Sequence, residues 1–582
     1  MKEVPAGHPQ AEWLRDSPSD WRQQTKKQKA ALNQFHIAAI TEHFRAAAKK
    51  EKVKKEDQPL DERLSSYIIE GTQDGLIEDL ERKRREGTAP LDIINGPLMS
   101  GMAEVGRLFN ANELIVAEVL QSAEAMKAAV GHLEQFMEKA DAARRGKVLL
   151  ATVKGDVHDI GKNLVEIILN NNGFEVVNLG IKVPPEDLIK AYQSHHPDAI
   201  GLSGLLVKSA QQMVVTASDL KDAGIEVPLL VGGAALSAKF TEQKIRPSYR
   251  GAVCYAKDAM TGLRLMNEIM DPEMRERVLG EHVGSGNGVS LKTTVKLEAK
   301  PAVRRSPKVR ADLPVPEASY LDRKLRLVPD LGELWGYVNP FMLYGRHMGY
   351  RGDFEEHLAA RETKAVELFN EMEDVKSEAR KFMKVRAVWQ FFEAESAGET
   401  LHLFGPGGKE PLQTWNFKRQ AAGDQLCLSD YVLPARDGRR DHVAIFVVTA
   451  GEGVRERSEK AKQEGFYFKS HGLQALAIET AEASAEWLHR RIREDWGFAD
   501  PPEMTMAQRF TSKYRGKRYS FGYPACPDLE DQAGLFKLLR PEEIGVQLTE
   551  GFMMDPEASV SALVFHHPDC KYFSVGESGE SA

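Results

Sequence analysis

The sequence predicts a multidomain protein: an all-α helical bundle, an α/β domain built on a doubly wound parallel sheet, and an α+β domain. Three observations predict it. A chain of 582 residues exceeds what one hydrophobic core serves, so three or four domains are expected. Between 147 and 256, five apolar runs alternate with helical patterns, the signature of a parallel sheet. Ahead of them the chain is helical throughout; behind them, strand and helix patterns mix. The expected divisions are 1–58, a leader or linker; 59–141, the bundle; 145–272, the α/β domain; 273–318, a linker; and 319–575, the α+β domain.

The bundle begins with Leu64, Tyr67, Ile68 and Ile69. A second amphipathic pattern covers 91–109, with Pro97 early in it. A third covers 112–137, with Ile115, Val116, Val119, Leu120, Met126, Val130 and Leu133 at helical spacing. In the α/β domain the apolar runs are 147–153, 174–180, 198–204, 227–233 and 251–256. The first is followed by Gly155-Asp156-Val157-His158-Asp159-Ile160-Gly161 and then by a helical pattern. Asp156, His158 and Gly161 thus fall on the first strand–helix loop, at the carboxyl edge where parallel sheets bind ligands. A histidine there reaches out toward a large ligand. An aspartate two residues earlier holds the imidazole and tunes its basicity. Gly161 lets something bulky approach the backbone. Ser203-Gly204 and Gly232-Gly233 fall at other strand ends, where small residues line a slot. Taken alone, Asp-x-His-x-x-Gly is equally a capped helix N-terminus with an exposed histidine.

The stretch 273–318, with Gly284–Gly288 and four prolines, reads as an interdomain linker. Beyond it, 385–393 and 442–449 read as strands and 481–496 as an amphipathic helix. Tyr514–Asp528 combines cations, glycines, aromatics and prolines, a rigid loop that can offer an arginine to a carboxylate. Net charge is −8 with both signs interleaved, so no nucleic-acid footprint appears. The four cysteines form neither a disulfide framework nor a zinc motif, so zinc is not expected. No signal peptide or membrane-length apolar run is visible, and a cytoplasmic protein without membrane partners is expected.

Residues 145–270 resemble the cobalamin-binding domain of cobalamin-dependent methyltransferases and mutases, a Rossmann/flavodoxin-like fold. Asp156-x-His158-x-x-Gly161, Ser203-x-Leu205 and Gly232-Gly233 carry that resemblance. It implies that His158 is the lower ligand of cobalt and that Asp156 and Ser209 continue its hydrogen-bond relay. It also implies cobalamin contacts from Gly155, Val157, Asp159, Gly161, Ser203, Val207, Gly232, Gly233 and Ala259. Position 207 more often carries threonine in that family.

Gly106–Val119 resembles the helical cap of the cobalamin-dependent methionine synthase family, which implies that Phe109, Val116 and Val119 shield the methyl group of methylcobalamin. Tyr514–Asp528 resembles the S-adenosylmethionine-binding loop of that family's reactivation domain. The resemblance implies ligand contacts from Glu482, Arg518, Ser520, Tyr523, Tyr572 and Phe573. Asn339 stands nearest the place of a family aspartate. The order of the domains is that of the family's C-terminal half.

The implied activity is that of a cobalamin-dependent methyltransferase. Methylcobalamin passes its methyl to homocysteine, and oxidised cob(II)alamin is remethylated from S-adenosylmethionine. The implied partners are homocysteine- and methyltetrahydrofolate-binding barrels, on another polypeptide or a missing half, and a flavodoxin-like electron donor. One competing reading is a corrinoid methyl carrier of another one-carbon system, which would lack 319–575. The other is a cobalamin sensor, which would need a DNA-binding module that 1–58 does not show.

Overall fold

The computed structural model describes residues 58–137, 145–283, 305–328, 330–435 and 439–575. The expected leader, up to residue 57, and the middle of the expected linker, 284–304, lie outside the described residues.

The bundle comprises α1 (Leu60–Ile69), α2 (Leu76–Arg85), α3 (Met99–Asn110) and α4 (Val116–Leu133). Leu64, Ile68, Leu76, Leu80, Leu98 and Val105 face one another with no exposed surface. The pattern expected over 91–109 is not one helix. Pro97 lacks an amide hydrogen, and a π turn at Ile94–Leu98 absorbs it before α3 begins. α4 starts later than its apolar pattern, because Asn112 has φ +67° and Ile115 is extended. Glu118 then accepts the Ile115 amide at 2.8 Å and caps the helix.

The α/β domain is a five-stranded, wholly parallel sheet: β1 (Gly146–Thr152), β2 (Phe174–Asn178), β3 (Ala199–Ser203), β4 (Leu229–Gly232) and β5 (Val253–Tyr255). The order is β2-β1-β3-β4-β5. Helices α5 (Ile160–Asn170), α6 (Pro185–His195), α7 (Val207–Asp222) and α8 (Ala259–Met270) complete the doubly wound unit. The chain leaves β1 toward β2 on one side, and β3 lies on the other. The β1 and β3 loops therefore part at the switch point where such sheets bind ligands. A further helix, α9 (Pro272–His282), occupies the first part of the stretch expected as linker. Asp271 caps it through the Glu273 amide at 2.9 Å, and Pro272 fits its first turn.

The third domain is a mostly antiparallel sheet packed against helices. Its strands are β6 (Lys324–Val328), β7 (Val385–Ala397), β8 (Thr400–Phe404), β9 (Gln413–Asn416), β10 (Asp441–Thr449), β11 (Lys517–Tyr519) and, after a two-strand hairpin β12 (Gln547–Leu548) and β13 (Met554–Asp555), β14 (Ser559–Phe565). The sheet runs β11-β14-β10-β7-β8-β9, and β6 pairs with β7. Its helices include α10 (Thr363–Ala379), α11 (Val454–Gln463), α12 (Tyr467–Asp495) and α13 (Gln532–Leu539). The helix expected over 481–496 is the second half of α12. Its first half buries Leu473, Ala475, Leu476 and Ala477, so it lacks the polar stripe that marks an amphipathic helix.

The third domain sits on the carboxyl edge of the parallel sheet. Thr549 Oγ1 donates to the Gly155 carbonyl at 2.9 Å, and Val157 is buried in the third domain's apolar core. Lys182–Asp555 at 2.7 Å, Lys208–Glu530 at 2.9 Å and Lys462–Glu166 at 2.8 Å ring this contact. The bundle lies to the side. Ile115, just before α4, and Ala117, Leu120 and Ala123 on it pack into the core around α12.

Candidate functional site

The β1 loop delivers Asp156 into the interior with no exposed surface, and its carboxylate gathers four donors. Oδ1 accepts from His158 Nδ1 at 2.6 Å and from the His158 amide at 2.9 Å. Oδ2 accepts from Ser209 Oγ at 2.5 Å and from the Leu205 amide at 2.7 Å. The carboxylate thereby ties the β1 loop to the β3 loop. Burial alone would raise the Asp156 pKa, but the hydrogen bonds from His158 and Ser209 outweigh it and hold the carboxyl below its ordinary value. Burial pulls the His158 imidazole down, yet the Asp156 bond and the charges of Glu557, Asp156 and Asp159 leave it raised. With Nδ1 committed to Asp156, Nε2 is the ring nitrogen left for a ligand.

His158 lines a cavity of about 470 Å³ between the α/β domain and the third domain. Asn339, Glu482, Arg518 and Tyr523 line the same cavity. A second cavity of about 340 Å³ shares Glu482, Arg518 and Tyr523 and adds Ser520, Tyr572 and Phe573. All seven residues assigned to the loop-borne ligand are thus gathered around two adjoining spaces, and His158 opens onto the first.

The glycines decide what can approach. A Cβ on Gly161 would meet open space, so the start of α5 is clear for a broad ligand. Gly233 has φ +146°, and a Cβ there would lie 1.7 Å from the Gly204 carbonyl oxygen. A Cβ on Gly232 would lie 2.8 Å from the Ala256 carbonyl oxygen. The β3, β4 and β5 loops thus meet backbone to backbone at these two positions, an approach that only glycine permits. Ser203 ends β3 there, and Val207, 61% exposed, starts α7. Asp159 immediately precedes α5, and its carboxylate accepts from Gln474 of α12 at 3.0 Å. A ring nitrogen of His158 left for a ligand, on a loop whose Gly161 faces open space, fits cobalamin.

Four other candidates stand apart from this cavity. Ala259 and Val119 are buried, and Phe109 partly so, in the apolar cluster that joins the bundle to the α/β domain. Val116 packs against the third domain. In this arrangement the third domain, and not the bundle, faces His158.

The structure adds residues that the sequence reading passed over: His347, Glu479, Glu486, Arg509 and Glu557 also line the His158 cavity. His347 Nε2 lies 3.0 Å from Glu479 Oε1. Burial pushes the Glu557 carboxyl up to about 7, against the pull of His158. Glu486 lies four residues after Glu482 on α12, a spacing that puts both on one helical face and could have signalled it. Glu557 lies on a loop without periodicity, which gave no signal. Among the described residues no group of three or more His, Cys, Asp or Glu is placed to hold a metal ion. No helix among them is long and apolar enough to cross a membrane.

Three family models match the chain. A B12 binding domain matches residues 60–134, and a second B12 binding domain matches 146–264. The activation domain of vitamin B12 dependent methionine synthase matches 331–581. The methionine synthase of Mycobacterium tuberculosis (strain ATCC 25618 / H37Rv) is 36% identical over 560 residues, covering 89% of this chain and 46% of that protein. The methionine synthase of Mycobacterium leprae (strain TN) is 34% identical over 567 residues, with the same coverage of 89% and 46%. A solved structure described as the MetH reactivation domain bound to AdoHcy is 28% identical, covering 45% of this chain and 83% of that one, with a TM-score of 0.42. The chain spans about half the length of the curated relatives it matches.

Proposed function

We propose that this chain, which carries the B12-binding domains and the activation domain of vitamin B12 dependent methionine synthase, holds cobalamin and restores it with S-adenosylmethionine. The observation that carries the proposal is the cavity lined by His158 on one side and by Arg518, Glu482 and Tyr523 on the other. His158 Nε2 would hold cobalt, with Asp156 and Ser209 fixing the ring and its charge. Gly161, Ser203, Gly232 and Gly233 would leave room for the corrin and its tail. Bound there, cobalamin supplies a cobalt able to take a methyl group from S-adenosylmethionine and, in the whole enzyme, pass it to homocysteine.

On the facing side, Arg518 would pair with the ligand's carboxylate through parallel N–H bonds. Glu482, 3.9 Å from Arg518, would face the ligand's positive groups. Tyr523, 58% exposed, would pack against it, and Ser520, Tyr572 and Phe573 would bound the second cavity. Asn339 would serve at the amine end. Phe109, Val116 and Val119 would shield the methyl group in another arrangement, with the bundle over His158. The proposal extends to a flavodoxin-like electron donor, to homocysteine- and methyltetrahydrofolate-binding modules outside this chain, and to a cytoplasmic location. The domain divisions 59–141, 145–272 and 319–575 remain the proposed units.

Spectroscopic titration with cobalamin and calorimetry with S-adenosylmethionine test the reading. Both ligands should bind to one chain. Failure of the parent to bind either one contradicts it.

A further inference from the structure

Behind Arg518 lies a network of charges that no ligand contact requires. Glu486 is 6% exposed and lies one turn after Glu482 on α12. Its Oε2 accepts from Nη1 of Arg518, and also from the Tyr514 hydroxyl at 3.1 Å. Its Oε1 makes no hydrogen bond and lies 3.7 Å from Nη2 of Arg493. Arg493, without exposed surface, grips Asp500 with Nε at 2.7 Å and Nη2 at 2.8 Å. Its guanidinium carbon lies 3.8 Å from the Tyr514 ring centroid. Asp500 in turn accepts from Nε of Arg509 at 3.2 Å. Arg509 and Arg518 both line the His158 cavity. Each is therefore backed by a buried carboxylate, and Arg493 joins the two carboxylates.

We propose that Glu486 is a positioning residue: it fixes the guanidinium plane of Arg518 so that the free edge meets the carboxylate of an amino-acid ligand. The inference rests on the reading of this cavity as an S-adenosylmethionine site and deepens it. A guanidinium carries five donors in a rigid fork, so one bond at its back determines where the others point. Glu486 supplies that bond, and Tyr514 keeps Glu486 from swinging away. Tyr514 is pinned in turn by Arg493 beneath its ring. Glu482, nearest Nη2 of Arg518 at 3.9 Å, is too distant to take over the role.

The full chain, titrated calorimetrically with S-adenosylmethionine and with its decarboxylated analogue, tests this. If Glu486 only neutralises Arg518 within the fold, its loss affects both ligands alike. If it aims Arg518, the loss appears only where a carboxylate is present. Glu486→Ala should weaken S-adenosylmethionine about tenfold, the worth of one charge-assisted hydrogen bond, and change the analogue by less than about twofold. In an Arg518→Ala background, Glu486→Ala should cost nothing further. Glu486→Gln keeps the volume and one acceptor. It should fold if the alanine variant does not, and should show the same selectivity at about threefold. Equal losses for the two ligands, or additive losses with Arg518→Ala, would overturn the positioning role. A parent chain that binds neither ligand would overturn the reading of the cavity instead.

Discussion

Gly349 of the third domain is pressed against Val116 of the bundle. A Cβ on Gly349 would lie 2.9 Å from both Cγ2 and the amide nitrogen of Val116. The Ala117 amide donates to the Met348 carbonyl at 3.3 Å beside them, and Lys364 Nζ reaches the Glu113 carbonyl at 2.7 Å. Gly349 has φ +77°, so a side chain there is both strained and in collision. Gly349→Val should loosen this seat. Amide hydrogen exchange at residues 115–118 should rise, while the parallel sheet keeps its protection. Unchanged exchange would mean that the contact does not hold the bundle in place.

The N-terminus of α12 gives a pH-dependent contact. Glu124 of α4 accepts the Phe468 amide at 2.7 Å. Burial, with Glu371 nearby, pushes its carboxyl from 4.5 up to about 7 despite that bond. The folded state therefore holds this proton more tightly than the unfolded chain. The stability it brings is complete below pH 4.5 and is lost as pH rises to about 7, a change of about 3 kcal/mol at most. Glu124→Gln keeps an acceptor without the charge. The variant should melt higher than the parent at pH 8, and the difference should vanish near pH 4.5. A difference independent of pH would remove Glu124 from the account.

Asp156→Asn should be costly, because an amide cannot accept all four hydrogen bonds that the carboxylate takes. Denaturant unfolding should show a loss of roughly 3 kcal/mol. The His158 pKa, followed by NMR, should fall, since the Asp156 hydrogen bond is the largest effect raising it against burial. An unchanged His158 titration would contradict the relay.

Arg518→Ala should weaken S-adenosylmethionine binding about a hundredfold, and Arg518→Lys should not restore it. An ammonium cannot reproduce the planar two-bond grip on a carboxylate. Calorimetry showing parent-like affinity in Arg518→Lys would reduce Arg518 to a point charge.

The α/β domain was legible because each buried parallel strand is a continuous apolar run, and the turns that matter carry Asp156, His158 and paired glycines. The seven residues proposed for S-adenosylmethionine were suggested by the loop's resemblance, and they line two adjoining cavities. What could not be read is how the domains sit on one another. Thr549 on the Gly155 carbonyl and Val116 on Gly349 are contacts between surfaces far apart in sequence, and no local pattern encodes them. The position of Phe109, Val116 and Val119 away from His158 follows from that seating and not from their helical spacing. The first half of α12 was missed for the opposite reason: it is buried almost all round and shows no period.

The central claim is that one cavity joins the cobalt ligand to the methyl donor. The direct measurement loads the full chain with cobalamin and adds S-adenosylmethionine labelled in its methyl group. A chemical one-electron reductant is supplied, and homocysteine and methyltetrahydrofolate are left out. The account predicts labelled methylcobalamin, up to one per chain, with an equal amount of S-adenosylhomocysteine, and far less from Arg518→Ala at the same ligand concentration. A chain that binds both ligands and is reduced, yet leaves the label on S-adenosylmethionine, would contradict it.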